Sequence, residues 1–401
     1  MNDALRPAAL DGLLVIDLGQ IYQGPYCSLL LAMAGATVIK VEPLRGEPAR
    51  LRAEVDVASL PLAMLNSNKL GVTLNLKSDE GRALFLQLAD RADVVLENFA
   101  PGVMDRLGIG ADALRARNPR LVYASASGYG NDGPYRDYLA MDLTIQAMGG
   151  IMEATGFPDS PPVKAGPAVS DFLGGVHLYG AILTALYQRE RTGAGQKVEV
   201  AMLDAVYPTL CSNLGMHFAT QGKSLARTGN RHGGMSMAPY NVYRARDGYV
   251  AIICVTDEHW RNLAHAMGRD QLADDPRFTT HADRVKIMPE VDAIVEDWTS
   301  RHTKDEVFEA ARAAHIPAAP VRHLEEVMND PHLHQRGMLQ RVDHPDLGPV
   351  VLPTTPLRLA DAPVPPLRPS PRLGQHNDHV YGGMLGLSSE RLAELRAAKV
   401  I

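Results

Sequence analysis

The sequence predicts an α/β protein whose parallel sheet is covered by helices on both faces. Short apolar, β-branched segments alternate with helical patterns through the N-terminal half of the chain, which is typical of a parallel sheet. At 401 residues the chain is longer than one ordinary core supports, so we expect two domains or one large domain with an insertion. Hydrophobic residues make up 46% and charged residues 21%, as in a globular enzyme.

The first predicted unit is β-α-β. Residues 13–17 form a short apolar run, a glycine turn follows at Gly24-Pro25, and residues 26–34 have the apolar pattern of a helix. Residues 37–41 are β-branched, as in a strand. Two strands joined in this way pair in parallel.

The same alternation recurs further along the chain. Ser78 caps a predicted helix that runs to residue 91, and residues 93–96 have strand character. Pro101 starts a short helix, and residues 121–125 form another strand. We therefore expect these strands to extend the same parallel sheet.

A long helix and another strand follow. Apolar residues recur over 176–186, and the basic end at Arg189 and Arg191 precedes Gly193, so the C-terminus of the helix is marked. Residues 197–201 are strand-like, and Asp204 starts a further predicted helix.

The composition changes near residue 222 and predicts three parts. Residues 222–235 are rich in glycine and basic residues without periodicity, as in a connecting segment. The elements beyond it are a strand at 249–255, helices at 258–267 and 283–301, and a helix that Thr303 and Glu306 open as a capping box. Prolines at 362–371 indicate an extended strap before a final helix at 389–398. We predict a large domain at 1–221, a small α+β domain at 222–330 and a C-terminal segment at 331–401.

Bulk properties exclude several classes of function. The net charge is −6, whereas proteins that bind nucleic acid usually carry an excess of positive charge, so nucleic acid is not an expected partner. The apolar stretch at 29–39 is too short to span a bilayer, so a membrane is not expected either. Cys27, Cys211 and Cys254 are isolated and lack ligand spacing, and no metal-binding motif appears. We expect a cytoplasmic protein without a metal.

Asp171 stands out as a candidate nucleophile. It lies in a stretch with glycines on both sides, Gly166 before it and Gly174-Gly175 after it, at the start of the long predicted helix. A buried carboxylate beside space for a ligand can attack a carbonyl group. The alternative is that Asp171 caps the helix, because its oxygen can accept unpaired backbone N–H groups.

Polar and aromatic residues follow the predicted strand at 93–96. Asn98, Phe99 and Arg106 would lie at the carboxyl edge of the sheet, where open α/β folds bind ligands, although Arg106 could instead form a surface ion pair. Residues 128–133 match G-x-G-x-x-G, but Pro134 stands where the helix of a dinucleotide site should begin. We therefore expect a glycine-rich loop beside a ligand.

Charged residues stand at the end of the strand predicted at 37–41 and beyond it. Lys40 and Glu42 lie at the strand end, three arginines follow, and a solvated charge run is the usual explanation. The arginines are Arg45, Arg50 and Arg52.

The chain resembles the class III coenzyme A transferases, the family of formyl-CoA transferase, carnitine CoA transferase and α-methylacyl-CoA racemase. The similarity covers nearly the whole length. The matching motifs include Gly35-Ala36-Thr37-Val38-Ile39-Lys40-Val41-Glu42, Asn66-Ser67-Asn68-Lys69, Val95-Leu96-Glu97-Asn98-Phe99, Ser127-Gly128-Tyr129-Gly130, Thr192-Gly193-Ala194-Gly195-Gln196 and Leu373-Gly374-Gln375-His376.

The resemblance implies a fold, an activity and a set of site residues. It implies a Rossmann-like large domain with an inserted small α+β domain, in an interlocked, ring-like homodimer. It implies an acyl-CoA:carboxylate CoA transferase in which Asp171 forms a mixed anhydride and then an aspartyl-CoA thioester, with acyl-CoA as substrate and no permanently bound cofactor. The implied CoA contacts are Ile21, Leu74, Asn98, Phe99 and Arg106. The implied substrate and lid residues are Tyr22, Gln23, Asp142, Gly233 and Gly234.

Departures from the family pattern bear on the substrate. Pro43 stands where formyl-CoA transferases have a CoA-contacting arginine, Leu70 replaces a common basic residue, and Tyr22 replaces a glutamine near the reacting carbonyl. Phosphate contacts would then come from Arg45, Arg50 or Arg106. Donor candidates are succinyl-, acetyl- and oxalyl-CoA, and acceptor candidates are dicarboxylates, hydroxy acids and carnitine.

Two other functions remain as alternatives. A 2-methylacyl-CoA racemase of this family uses a histidine before an aspartate, but the pair here is Met141-Asp142, and methionine cannot move a proton. A noncatalytic CoA-binding protein would bind CoA tightly without exchange.

Overall fold

The computed structural model describes residues 7–51 and 59–401. Contacts divide the chain into two units. The first comprises Met1–Ile145, Pro167–Val206 and Asp330–Ile401, and the second comprises Gln146–Gly166 and Tyr207–Asn329. Units defined by contacts do not test independent folding, so the domain boundaries at 221 and 330 stay a prediction.

The first unit contains a six-stranded parallel sheet. Its strands are β1 (Leu14–Asp17), β2 (Thr37–Glu42), β3 (Leu70–Thr73), β4 (Val94–Glu97), β5 (Val122–Ser127) and β6 (Lys197–Ala201). They are arranged in the order β3-β2-β1-β4-β5-β6, and every neighbouring pair is parallel. This is the order of doubly wound folds, in which ligands bind where the strand order reverses. The α/β prediction is confirmed, and the reversal lies between β1 and β4.

Helices cover both faces of this sheet. Alternate strand residues point to opposite faces, so Ile16 packs in one hydrophobic cluster and the adjacent Val15 packs in another. The strands are therefore apolar on both sides. The helices up to residue 206 that contain first-unit residues are Gln23–Met33, Pro48–Leu51, Ser59–Asn66, Asp79–Ala89, Val103–Arg106, Ala111–Arg117, Asp142–Met148, Val169–Thr192 and Met202–Val206.

Local sequence signals explain most helix starts. Ser78 is the predicted cap, and its Oγ accepts the Gly81 N–H at 3.0 Å. The helix predicted to start at Asp204 instead begins at Met202, directly after β6.

The long helix Val169–Thr192 is hereafter the Asp171 helix. By length and composition alone it could cross a membrane, with a mean hydropathy of 1.3, but buried helices of other proteins pass the same test. Its C-terminus is marked by Gly193 in the left-handed conformation, as the sequence predicts.

The second unit has its own antiparallel sheet and core. The sheet contains β7 (Tyr240–Ala245), β8 (Gly248–Ile253) and β9 (Ala318–Pro320). Both tryptophans of the chain, Trp260 and Trp298, belong to its hydrophobic cluster. Its helices are Ile151–Ala154, the 3₁₀ turn Tyr207–Leu210, Cys211–Ala219, Asp257–Ala266, Gln271–Asp274, His281–Lys286, Met288–Thr299, Lys304–Ala313 and Leu324–Met328.

Two helix predictions in this unit have different outcomes. The capping box is confirmed: Thr303 accepts the Glu306 N–H, and the Glu306 carboxylate accepts the Thr303 N–H. The single helix predicted at 283–301 is wrong, because the chain breaks at Ile287 and a new helix begins with Pro289 in its first turn. Proline lacks the N–H that a continuous helix would use there.

The C-terminal segment packs on the sheet of the first unit. Its elements are the helix Pro331–Gln335, the hairpin β10 (Leu339–His344) and β11 (Gly348–Pro353), the π-helix Asp378–Met384 and the helix Ser389–Ala397. The strap at 362–371 forms neither helix nor strand, as predicted. Tyr381 and Leu395 are buried in one of the clusters beside the sheet.

Candidate active site

A cavity of about 510 Å³ lies at the carboxyl ends of the parallel strands. Gln20 and Ile21 follow β1, Asn98 and Phe99 follow β4, and Gly128 follows β5. The volume is typical of a small-molecule site. Its lining residues are Gln20, Ile21, Gln23, Pro48, Asn98, Phe99, Ala100, Pro101, Ser127, Gly128, Tyr129, Arg136, Tyr138, Leu139, Ala140, Met141, Asp171 and Met202.

Asp171 lines this cavity from the first turn of the Asp171 helix, and it is not the cap. Ala168 precedes the helix without a side-chain cap bond. Asp142 serves the helix end instead, since its Oδ1 accepts the Ser170 N–H at 2.8 Å and the Asp171 N–H at 3.4 Å. The capping interpretation of Asp171 is therefore wrong, because a carboxylate from another segment performs that role.

The Asp171 carboxyl group is buried and electrostatically destabilised as an anion. It is 7% exposed, and no hydrogen bond reaches its side chain from the residues that the structure describes. Burial, and then the negative charge of Asp142, raise the pKa of Asp171 to about 7. A desolvated carboxylate of this kind is a stronger nucleophile than a hydrated one.

Gln23 lies on the same wall of the cavity. Its side chain is 2% exposed, and its Nε2 is buried without a hydrogen-bond partner in the described part of the chain. The amide packs against Gly174, where a Cβ would lie only 2.5 Å from Nε2. Gly174 is three residues after Asp171, so both face the same side of the helix.

Asn98 binds the backbone of the loop after β1. Its Oδ1 accepts the Gln20 N–H at 2.7 Å, and its Nδ2 donates to the Gln20 carbonyl oxygen at 3.0 Å. The next residue, Phe99, is oriented by Glu97, whose Oε2 accepts the Phe99 N–H at 2.8 Å. Asn98 and Phe99 thus share the cavity with Asp171, as the carboxyl-edge rule predicts.

The cavity contains an arginine that sequence reasoning missed. Arg136 lines it, whereas Arg106 is exposed and is not among the lining residues. Both guanidinium groups lie near Gly102: a Cβ there would be 3.1 Å from Arg106 Nη1 and 3.9 Å from Arg136 Nη2. Neither Asp105 nor Glu97 pairs with Arg106 among the described residues. Arg136 could have been identified from the sequence because, like Asn98, it lies in the segment that follows a strand of the sheet, which for Arg136 is β5.

The solvated interpretation of the charge run is wrong for Lys40 and Glu42, which lie at the end of β2 and are buried. Lys40 and Glu42 are each 1% exposed. Arg50 pairs with both oxygens of Glu42, at 2.9 and 2.8 Å, which occupies a guanidinium that could have bound phosphate. Arg45 is exposed, and Arg52 lies outside the described residues.

Four other predicted site residues lie elsewhere. Tyr22 does not line the cavity, and its ring centroid is 6.3 Å from that of Phe172. Leu74 is 2% exposed in a hydrophobic cluster beside the sheet. Gly233 and Gly234 belong to the second unit. Their predicted roles, like that of Arg106, stay predictions.

The remaining motifs add little chemistry. Residues 131–141 contain no helix after the G-x-G-x-x-G loop, so a dinucleotide fingerprint lacks its anion-binding helix start. Within 7–51 and 59–401, no group of three or more His, Cys, Asp or Glu side chains could hold a metal ion.

The fold is α/β, and its parallel sheet has at the strand ends a cavity that a buried carboxylate lines. The chain belongs to CoA-transferase family III, whose family model matches residues 10–377. It is a class III CoA-transferase, a family that uses CoA thioesters as substrates.

Known proteins resemble this chain over almost its full length. It is 40% identical to a formyl-CoA:oxalate CoA-transferase of Streptomyces avermitilis, covering 98% of this chain and 99% of the relative. It is 37% identical to a succinyl-CoA–D-citramalate CoA-transferase of Chloroflexus aurantiacus, covering 100% of both. The crystal structure of a CaiB/BaiF family protein from Brucella suis superposes with a TM-score of 0.83 at 34% identity, covering 94% of this chain and 100% of that one.

Proposed function

We propose that this enzyme moves CoA from an acyl-CoA donor to a free carboxylic acid, with Asp171 as the covalent nucleophile. The observation that carries this proposal is the buried Asp171 carboxyl group, which faces the cavity, accepts no hydrogen bond from residues 7–51 and 59–401, and has a pKa raised to about 7. Such a group is partly ionised near neutral pH and needs little desolvation before it attacks.

The exchange proceeds through acyl transfers at Asp171. An Asp171 oxygen attacks the donor thioester carbonyl, and the C–S bond breaks to give a mixed anhydride and CoA thiolate. The thiolate attacks the aspartyl carbonyl, releases the donor acid and forms an aspartyl-CoA thioester. The acceptor carboxylate attacks that thioester to give a new anhydride and thiolate. Attack of the thiolate on the acceptor acyl carbonyl yields the new acyl-CoA and restores the Asp171 carboxylate.

Gln23 supplies a hydrogen-bond donor for the negative charge that develops on the attacked carbonyl oxygen. Its buried amide nitrogen has no partner in the described residues, and an unsatisfied buried donor costs about 1–3 kcal/mol. A substrate oxygen would satisfy it, and donors of this kind stabilise acyl-transfer intermediates. In formyl-CoA transferases a glutamine at the position of Tyr22 lies near the reacting carbonyl group. In this chain the neighbouring Gln23 would have that role.

The rest of CoA binds along the same wall. Phe99 contributes an aromatic face, and Arg136 together with Arg106 places positive charge near Gly102 for the phosphate groups. Asn98 acts through the Gln20 backbone that it binds. The loop containing Gly233 and Gly234 serves as the lid that excludes water from the anhydride.

The racemase alternative lacks its proton carrier. Met141 lines the cavity at the position where a racemase would need a histidine, and a thioether cannot exchange a proton.

The decisive variant is Asp171→Asn. Asparagine removes a destabilised buried charge, so the fold and CoA binding should survive while exchange falls below detection. The assay pairs formyl- and succinyl-CoA with oxalate, dicarboxylate and hydroxy-acid acceptors and identifies new thioesters by mass spectrometry. Hydroxylamine added to the wild-type enzyme with a donor should convert Asp171 to a hydroxamate, seen as a mass change on its peptide. An active Asp171→Asn enzyme together with an unmodified peptide would falsify the covalent role.

We also propose that the small α+β domain is an insertion and that two chains interlock as a homodimer. Apolar side chains left exposed in one chain support this assembly, such as Val176 at 41% and Tyr187 at 63% on the Asp171 helix. The helix Cys211–Ala219 has no buried residue, and its Phe218 is 76% exposed. Surfaces of this kind typically mark protein interfaces.

A further inference from the structure

One residue of the cavity wall has a backbone conformation that its side chain disfavours. Ile21 lines the cavity and has a φ of 62°. A β-branched residue rarely adopts this left-handed conformation, because its side chain then crowds the backbone. Such strain persists only where the surrounding structure enforces it. The contacts of the loop that contains Ile21 should therefore show which residues hold it in this conformation, in the wall of the cavity that Asp171 also lines.

The two amides before Ile21 are bound by side chains rather than by a neighbouring strand. The Gly19 N–H donates to Asp17 Oδ1 at 2.7 Å, and the Gln20 N–H donates to Asn98 Oδ1 at 2.7 Å. Asp17 is fully buried. These two hydrogen bonds therefore hold the backbone in place directly before Ile21.

Glu47 binds the strained residue itself. The Ile21 N–H donates to Glu47 Oε2 at 2.8 Å, and the other carboxylate oxygen lies 3.1 Å from Lys40 Nζ. Lys40 also donates to the Gly19 carbonyl oxygen. Lys40 and Glu47 are each 1% exposed, and neither lines the cavity. This buried ion pair is therefore placed to hold the loop and cannot contact a ligand in the cavity.

We propose that Glu47, oriented by Lys40, is a positioning residue that keeps Ile21 left-handed and so fixes where the CoA thioester lies relative to Asp171. This inference rests on the proposed function of the cavity. When Glu47 releases the Ile21 N–H, Ile21 relaxes to a negative φ and the peptide groups on either side of it turn. The wall against which the donor packs then changes, although no residue that touches the donor has been substituted.

The first test is Glu47→Gln. Ile21 N and Lys40 Nζ contact different oxygens of Glu47, and glutamine replaces one of these oxygens with an NH2 group, so one of the two donors loses its acceptor. We expect the Kd of CoA, measured by calorimetry, and the KM of the donor to rise about tenfold, the equivalent of one lost hydrogen bond. We expect kcat to fall as well, because a thioester displaced from Asp171 reacts more slowly even though Asp171 itself is untouched. A Kd of CoA and a kcat that both stay at the wild-type values would overturn the proposal.

The matched test repeats Glu47→Gln in an Ile21→Gly background. Glycine adopts a positive φ without strain, so it does not need Glu47 to hold it there. The tenfold effect should then shrink below about twofold, which a double-mutant cycle on CoA affinity measures directly. Equal effects in both backgrounds would show that Glu47 does not act through Ile21.

Two further arms keep the test decisive. Should Glu47→Gln fail to fold, because it removes one of the negative charges that surround the buried Lys40, Glu47→Asp repeats the cycle with that charge kept and the carboxylate withdrawn by one methylene. The double-mutant cycle is measured by the Kd of CoA. The proposed function is tested separately, by CoA exchange and by formation of the Asp171 hydroxamate. A wild-type enzyme without exchange therefore refutes the proposed function, and an absent coupling refutes only the positioning role.

Discussion

The pH dependence of the enzyme should follow Asp171. Burial and Asp142 raise its pKa from 3.8 to about 7, and in the proposed mechanism only the ionised carboxylate attacks. We therefore expect kcat/KM, which reports the free enzyme, to rise with pH and level off above about pH 7. Asp142→Asn keeps an oxygen for the Ser170 N–H but removes the charge, so the rising limb should move to lower pH.

The control for that profile is an exposed carboxylate in the same unit. Asp204 is exposed in the helix that also contains Met202, a lining residue of the cavity. Asp204→Asn should leave the pH profile unchanged. An unmoved profile in Asp142→Asn would mean that burial alone raises the pKa of Asp171.

The same shift has a cost for folding. Because the folded-state pKa of Asp171 lies above its unfolded value, its contribution to stability is fully present below about pH 4. It is lost as the pH rises through about 7, by on the order of 4 kcal/mol at most. The proposed nucleophile is thus held at the expense of stability, as is common in active sites.

The Asp171 helix contains glycines with opposite expected roles. A Cβ at Gly174 would lie 2.5 Å from Gln23 Nε2 and 3.1 Å from Met202 Cγ. Gly174→Ala should therefore displace the Gln23 amide and lower kcat about 10²-fold or more, the loss typical of a missing oxyanion donor. Steady-state kinetics and CoA affinity together measure this effect, and CoA affinity should change little.

Gly180 provides the matched control on the same helix. It is exposed and has no atom within 4 Å of an added Cβ. Gly180 does not line the cavity, so Gly180→Ala should keep full activity although it raises the helix propensity as Gly174→Ala does. Equal losses of activity in both variants would point to helix flexibility instead of the position of Gln23.

Most elements could be predicted from the sequence because their signals are local. The β-branched run before Glu42, the Ser78 cap and the Thr303 capping box each act within a few residues. The π-helix Asp378–Met384 was missed, since its sequence carries no comparable signal. The break at Ile287 was missed because the apolar pattern continues across it.

The site could be predicted only in part, because the chain assembles it from distant segments. Asn98 and Phe99 followed from the rule that parallel sheets bind ligands at their carboxyl edge. Asp171 was open to two interpretations, since the segment that caps its helix lies 29 residues earlier at Asp142. Glu47 gave no signal, because a charged residue in a loop is usually solvated.

The proposed assembly of the whole molecule can be measured in solution. Light scattering should give the mass of a dimer, twice 43.5 kDa, at every concentration at which the protein is folded. Interlocked chains separate only when they unfold, so dilution should not produce folded monomer. A folded monomer at low concentration would exclude interlocking.

The distribution of tryptophan gives the enzyme an internal optical label. Trp260 and Trp298 are both buried in the second unit, at 0% and 6% exposure, whereas Asp171 lies in the first. Intrinsic emission therefore observes the unit that contains Gly233 and Gly234 without any dye. If that glycine loop closes over a bound thioester, adding acyl-CoA should change the emission on the timescale of closure, and stopped-flow fluorescence can time this step separately from the chemistry at Asp171.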